Sequence, residues 1–206
     1  MPSSDTFDLP LFPLQTVLFP GGLLSLKVFE ARYLDLVGTC LRESRPFGVV
    51  SIKQGSEVRR KADDPTVFET IGVMAELIDV DSKQPNILMV RCKGTQRFEA
   101  KRCSQQGDGL WVAQAEILED DDVVAPAEAM HETVRGLANA IATMKSKGSE
   151  PFLQPYAFDN AGWVANRWCE ILPISIAAKQ KLMELDDPHI RLQLVNDFLR
   201  SKGVVS

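Results

Sequence analysis

The chain has 206 residues, 45% of them hydrophobic and 25% charged, with a net charge of −5. That length buries a real core, as one larger domain or two small lobes, and the composition is that of an ordinary soluble globular protein. The acidic balance argues against a nucleic-acid binder, which neutralises phosphates with a basic surface, and no apolar run approaches the roughly 18 residues of a membrane span.

The start, MPSSDTFDLP, has neither the basic flank and apolar core of a signal peptide nor the acid-poor composition of a transit peptide. A cytoplasmic protein is expected, with no nucleic-acid or membrane partner. The charge is uneven along the chain. Residues 1–118 carry 14 basic and 15 acidic side chains, and residues 119–206 carry 9 and 13.

The first elements follow from "LPLFPLQTVLFPGGLLSLKVFEARYLDLV", residues 9–37. Phe19-Pro20-Gly21-Gly22 puts proline at i+1 and glycine at i+2 of a type II turn, where φ is positive. Leu24, Leu26 and Val28 then alternate with Ser25 and Lys27, the period of a half-buried strand. Tyr33, Leu34, Val37 and Leu41 fall at helical spacing and predict one short helix over 31–43, crossing the sheet. Pro46 precedes a strand over 47–52. The polar stretch 53–65 predicts a mobile loop. Its basic cluster, Arg59-Arg60-Lys61, is bracketed by Glu57 and Asp63-Asp64 and reads as solvated rather than as a phosphate track.

Ile71, Val73, Ala75 and Leu77 alternate in the next strand, residues 82–86 turn the chain, and "ILMVRCKGTQRFEAKRC" runs on as strand with a bulge at Gly94. Gly107-Asp108-Gly109 turns it again into residues 110–118. Regular strands on short turns predict a small, closed or nearly closed antiparallel sheet.

The period then changes. The acid run Glu119–Asp122 reads as a solvated linker between lobes, and Pro126 suits the first turn of a helix. Met130, Val134, Leu137, Ile141 and Met144 form one apolar stripe, ended by Gly148. Three shorter helices follow, capped by Asp159, Ser175 and Asp187. Their apolar sets are Val164, Trp168 and Leu172; Leu182 and Leu185; and Val195, Phe198 and Leu199. The fold class expected is α+β, a β-rich lobe over 1–118 and a helical lobe over 119–206.

Most catalytic chemistry finds no support. The dipeptide Gly-Lys does not occur, so no phosphate-cradling Walker loop is present, and G-x-S-x-G is missing too. Cys40, Cys92, Cys103 and Cys169 form no C-x-x-C pair and lie at no ligand spacing from His131 or His189, so reduced, packed thiols are expected. Ser175 and Lys179 are four apart, but an N-cap explains the serine without a Ser–Lys dyad. No catalytic residue, metal or cofactor is expected.

The opening stretch resembles the start of the Lon protease N-terminal (substrate-binding) domain family. The matching residues are Leu11, Phe12, Pro13, Leu14, Val17, Leu18, Phe19, Pro20, Gly21, Phe29, Glu30, Arg32 and Tyr33. "RPFGVV", residues 45–50, is similar to the family's next strand, and Gly94, Arg97 and Phe98 match its G-x-x-R-F signature. The final helices also look like the family's C-terminal bundle. The resemblance implies a PUA-like antiparallel pseudo-barrel with one crossing helix, followed by a helical bundle. It also implies a role in recognising unfolded or exposed protein segments, with a protease or chaperone as a further partner. The chain ends at Ser206 without the ATPase and Ser–Lys protease domains of full-length Lon, so a stand-alone, non-catalytic binding module is expected.

In that reading Phe152, Tyr156 and Trp163 are the candidate protein-binding residues, against the alternative that they pin a proline-rich loop to the bundle. Phe12, Pro13, Phe19, Pro20, Gly21, Glu30, Arg32, Tyr33, Arg97 and Phe98 are expected to be architectural, with Glu30, Arg32 and Arg97 in one ion-pair network. Two other functions stay open at this level. One is RNA binding, since PUA-like folds include RNA readers. The other is hydrolysis at a site assembled only in the fold.

Overall fold

The computed structural model describes residues 6–57 and 66–205. Strands β1 (Phe7–Leu14), β2 (Leu23–Val28), β3 (Phe47–Gln54), β4 (Val67–Phe68), β5 (Ile71–Gln84), β6 (Ile87–Gln105) and β7 (Trp111–Ile117) occupy the first unit, Met1–Glu119, together with helix α1 (Ala31–Glu43). The second unit, Asp120–Ser206, holds helices α2 (His131–Ser146), α3 (Ala161–Ile171), α4 (Ile176–Glu184) and α5 (Pro188–Ser201). The class is α+β, with a mostly antiparallel sheet.

Strand pairing runs β1–β7–β6–β5–β3 and returns from β3 to β1, closing a ring. The closing seam differs from the antiparallel expectation: β1 and β3 are parallel, with Leu11 opposite Gly48 and Leu14 opposite Ser51. β2 and α1 lie between them in the chain and supply the long crossover that a parallel pair requires. β1 divides its ladder, residues 7–11 pairing with β7 and 11–14 with β3. Pro10 and Pro13 therefore sit where only one side of the strand is paired, the setting in which a missing N–H is tolerated. Leu9, Leu11, Val50, Met74, Phe98 and the small Ala100, Ala113 and Ala115 fill the interior.

The turn at Pro20-Gly21 forms as its sequence requires. Gly21 has φ of 72°, and the Gly22 N–H donates to the Phe19 carbonyl at 2.9 Å. This turn lies directly on β6. Gly21 donates to the Gly94 carbonyl and Gly94 donates to the Gly22 carbonyl, both at 2.9 Å. A Cβ at Gly94 would come within 2.4 Å of the Phe19 carbonyl oxygen, so glycine is required by close backbone approach. The β5–β6 register shifts just beyond it, between Val73 and Ala75, which is the bulge expected here.

Elsewhere the strands run further than their sequences suggest. Lys53 and Gln54 belong to β3 rather than to the polar loop, with Gln54 opposite Val67 and Lys53 paired to Glu69 at 2.7 Å. Most of that expected loop, including Arg59-Arg60-Lys61, lies outside the described residues. β5 continues through Gln84, opposite Ile87, and the turn shrinks to Pro85-Asn86. Asn86 adopts φ of 60°, the positive φ that the second central residue of a type II turn needs and asparagine tolerates.

Helix α1 buries Tyr33, Leu36, Val37 and Cys40, while Leu41 is 53% exposed. Tyr33 and Val37 of the expected stripe are buried, while Leu36 and Cys40 take the buried places expected for Leu34 and Leu41. Tyr33 stacks on Phe12 with centroids 3.8 Å apart, and this contact docks the helix on β1. Arg32 joins Glu30 at 2.9 Å and donates to the Gly109 carbonyl at 2.8 Å. Arg97, 3% exposed, donates to the Glu119 carbonyl at 3.0 Å. Gly109 and Glu119 lie beyond opposite ends of β7, a strand about 20 Å long at strand rise. The expected single network is thus two anchors, one at each end of that strand.

In the helical unit α2 begins after a 3-10 turn, Glu128–Met130, so Pro126 precedes the helix instead of entering its first turn. Met130, Leu137 and Ile141 are buried as expected, joined by Thr133, which is wholly buried. The Thr133 hydroxyl bonds Asn196 at 2.7 Å, and its carbonyl accepts from the Trp168 indole at 2.9 Å. The Gly148 N–H bonds the Lys145 carbonyl and the Ser149 N–H bonds that of Met144, a Schellman ending. Asn160, not Asp159, caps α3, accepting from the Trp163 N–H at 3.0 Å. Ser175 and Asp187 cap α4 and α5 as expected. In α4 the buried side chains are Gln180 and Met183, with Leu182 and Leu185 half-buried.

Two arginines hold this unit's interior. Arg191, 1% exposed, donates to both carboxylate oxygens of Asp121, to Asn166 and to the carbonyls of Leu182 and Leu185. Asp121 is therefore a structural partner, and the acid run is not simply a solvated linker. Arg167, fully buried, pairs with Glu170 at 2.9 Å, while the Lys179 ammonium donates to the Glu170 carbonyl at 2.9 Å. Burial pushes the Glu170 carboxyl up from its ordinary 4.5 to about 7, against the pull of Arg167 and Lys179.

Three outcomes are expected. Gly94→Ala lowers stability to urea by about 2 kcal/mol, the scale of overpacking a close contact. Arg191→Ala costs about 3–5 kcal/mol in the same measurement, because it removes the buried guanidinium that holds Asp121, Asn166 and two carbonyls. Because Glu170 is harder to ionise when folded than unfolded, its contribution to stability is full below pH 4.5 and is lost as pH rises through 7. Melting temperatures taken from pH 4.5 to 7.5 show this loss, and Glu170→Gln removes it.

Candidate functional site

The loop before α3 carries three aromatic residues, and the helix presents a fourth in its first turn. Asn160 caps that turn and so sets the direction of Trp163. Trp163 is the centre of the group: ring centroids lie 5.3 Å away for Phe158, 5.9 Å for Tyr156 and 6.5 Å for Phe152. Tyr156 and Phe158 also meet edge to face at 5.9 Å. Such tilted and edge-on pairs are the favoured geometry of aromatic quadrupoles.

Phe152, Tyr156 and Trp163 thus come together, but they are not equivalent. Phe152 is buried at 4% exposure and supports the group from within. Tyr156, Phe158 and Trp163 are half-buried and carry its accessible edge. Phe158 was missed by the sequence reading; its signal was only its place two residues after Tyr156 in the same loop. Cations border the cluster. The Lys145 ammonium lies 4.9 Å from the Tyr156 centroid, and the Arg167 guanidinium lies 5.6 Å from Phe152 and 5.8 Å from Trp163. Burial lowers the Arg167 pKa from its ordinary value while Glu170 opposes the shift. The arrangement is a preformed aromatic edge on a buried ionic base, suited to stacking against apolar or cationic side chains.

The residues expected to be architectural are mostly interior. Phe19 and Phe98 have no exposure, Phe12, Tyr33 and Arg97 lie at 7% or below, and Pro13 is buried. Pro20, Gly21, Glu30 and Arg32 are half-buried at the turn and at the start of α1.

The chemical groups weighed from sequence have other occupations. The Ser175 hydroxyl caps α4, accepting from the Ala178 N–H at 3.1 Å, and Lys179 is engaged with the Glu170 carbonyl. His131 and His189 are exposed at helix starts. Cys40, Cys92 and Cys169 are buried and Cys103 is exposed, all as free thiols. Burial pushes Cys92 and Cys169 up to about 12, so both stay protonated at neutral pH. Among the described residues no group of three or more His, Cys, Asp or Glu side chains is placed to hold a metal ion. No helix among them is long and apolar enough to cross a membrane.

Comparison with known proteins agrees with this architecture. The family model described as the ATP-dependent protease La (LON) substrate-binding domain matches residues 8–201. A Lon protease of Anaeromyxobacter dehalogenans is 26% identical over 200 residues, which is 94% of this chain and 23% of that protein. The Lon protease of Escherichia coli K12 is 21% identical, over 97% of this chain and 25% of its own length. The chain therefore spans about a quarter of the curated relatives it matches. Among solved structures, a Lon N-terminal domain protein from Xanthomonas campestris aligns with a TM-score of 0.75 and 31% identity, covering 93% of this chain and 98% of that one. The N-terminal domain of a Mycobacterium avium complex Lon protease shares the fold at a TM-score of 0.59 and 14% identity. On these matches the chain belongs to the family of LON substrate-binding domains.

Proposed function

We propose that this chain is a non-catalytic recognition module for unfolded or exposed polypeptide segments, acting in the cytoplasm and passing its clients to a protease or chaperone. The observation that carries the reading is the match of residues 8–201 to a substrate-binding domain family. The site chemistry is in keeping with it: the polar groups of the helical unit serve caps and internal ion pairs, whereas its half-exposed rings offer contact surface. In this reading residues 1–118 and 119–206 are two lobes of one module, and Tyr156 and Trp163, backed by Phe152, form one of its contact surfaces. Aromatic side chains of this kind dominate binding energy at protein interfaces because they bury large area with few rotatable bonds.

A permanently unfolded protein, reduced and carboxymethylated, tests both statements by fluorescence anisotropy. The chain binds it, and Tyr156→Ala or Trp163→Ala weakens binding by about tenfold or more, the scale of an interface anchor. Unchanged affinity in a folded Tyr156→Ala variant removes this surface. Failure of the native chain to bind overturns the recognition reading itself.

A further inference from the structure

The opening signature builds more than a core. β2 pairs with β6 in unbroken register from Leu23–Lys93 to Val28–Leu88, and among the described residues it pairs with β6 alone. The Gly94 N–H bonds the Gly22 carbonyl, which sets the phase of this ladder. Backbone groups alternate sides along an antiparallel strand. Leu24, Leu26 and Val28 therefore point their N–H and C=O groups at β6, and those of Leu23, Ser25 and Lys27 point away from it.

Beside this free edge runs a groove of about 440 Å³. Phe12, Leu14, Leu24, Leu26, Val28 and Tyr33 give it an apolar lining, and Phe29, 50% exposed, stands at its rim. Of its charged groups, Glu30 is paired with Arg32, Glu57 accepts from the Gln15 N–H, and Lys27 adds a cation. The site offers an occupant a row of backbone donors and acceptors and an apolar trough, with Lys27 and Glu57 of opposite sign leaving it little net charge. That combination fits an uncharged, extended polypeptide with apolar side chains at alternate positions. Main-chain pairing would give affinity without demanding one sequence, and the trough would select apolar residues. The six-residue edge has neither the bulge nor the proline by which proteins block strand addition, and Lys27 is its one charged residue.

We propose that the free edge of β2 and the adjoining groove are a docking site for extended, apolar client segments, bound by strand addition. This rests on the recognition reading above and gives it a binding mode in the β-rich lobe, separate from the aromatic surface of the helical lobe.

The test uses the full chain and a capped, fluorescent octapeptide of alternating leucine and serine, read by anisotropy. Two further versions carry backbone N-methyl groups, on all leucines or on all serines. Only one alternating set of amides faces β2 in a docked strand, so one version loses affinity by about tenfold or more and the other binds nearly as well as the parent. Ser25→Pro removes an outward N–H without breaking the β2–β6 ladder and is expected to weaken parent binding by about tenfold. Circular dichroism checks its fold; if that variant does not fold, the methylated pair decides alone. Equal binding of both methylated peptides overturns strand addition. So does a concentration-dependent dimer of the chain that Ser25→Pro dissolves while the peptide fails to bind, since the edge then belongs to a second copy. If the unfolded carboxymethylated protein binds and the octapeptide does not, the groove is overturned and the recognition reading survives. If neither binds, the recognition reading falls with it.

Discussion

The β-rich unit depends on one backbone contact, the seating of the Pro20–Gly22 turn on Gly94. Two hydrogen bonds and a 2.4 Å clearance that only hydrogen can occupy fix where β2 meets β6. From that point the ladder runs in unbroken register to Val28, and α1 starts three residues later. The position of Tyr33 against Phe12 follows, and with it the packing of α1 on β1. On the other side of β6 the register with β5 shifts beside the same glycine. The first half of β6 thus carries β2 and the second half carries β7, and a single 19-residue strand serves both.

The helical unit is organised differently, around buried polar groups. Arg191 collects Asp121, Asn166 and two carbonyls from the end of α4, and Thr133 joins Trp168 to Asn196. Such contacts specify more than they stabilise, because a partner shifted by one position leaves a donor or charge buried alone. Apolar packing tolerates repacking far better. A unit of four helices with moderate apolar stripes therefore gains a single arrangement from its arginines, its threonine and its caps.

The fold was legible where a residue type forces the backbone. Pro20-Gly21, Gly94, Gly148 and the Ser175 and Asp187 caps each lie where their chemistry demands. It was not legible where the deciding partner lies far along the chain. Leu41 and Cys40 satisfy the same helical period, and only the sheet beneath α1 chooses between them. Asp121 looks like one acid in a run of four until Arg191, 70 residues on, is placed beside it. The parallel β1–β3 seam leaves no periodic trace at all. Of the aromatic site, Phe152, Tyr156 and Trp163 were visible as unusual loop and helix-start residues, but burial of the first and recruitment of Phe158 depend on how the loop folds back. The groove beside β2 was hidden by its own signature. Residues whose conservative role is core also form its wall, and sequence alone does not distinguish a wall from an interior.

The pairing of β1 with β7 also orders events in time. Phe7 pairs with Ala115 and Leu11 with Trp111, so the first strand to be synthesised waits for the last strand of its unit. At ribosomal speed that interval is on the order of ten seconds. Until then Leu9 and Leu11 have no interior to enter, and β6 has no β7 on its far side. Non-local pairing of this kind makes folding slow and leaves open sheet edges while it proceeds. A chain proposed to bind other proteins' extended segments thus passes through a state in which its own first strand is such a segment.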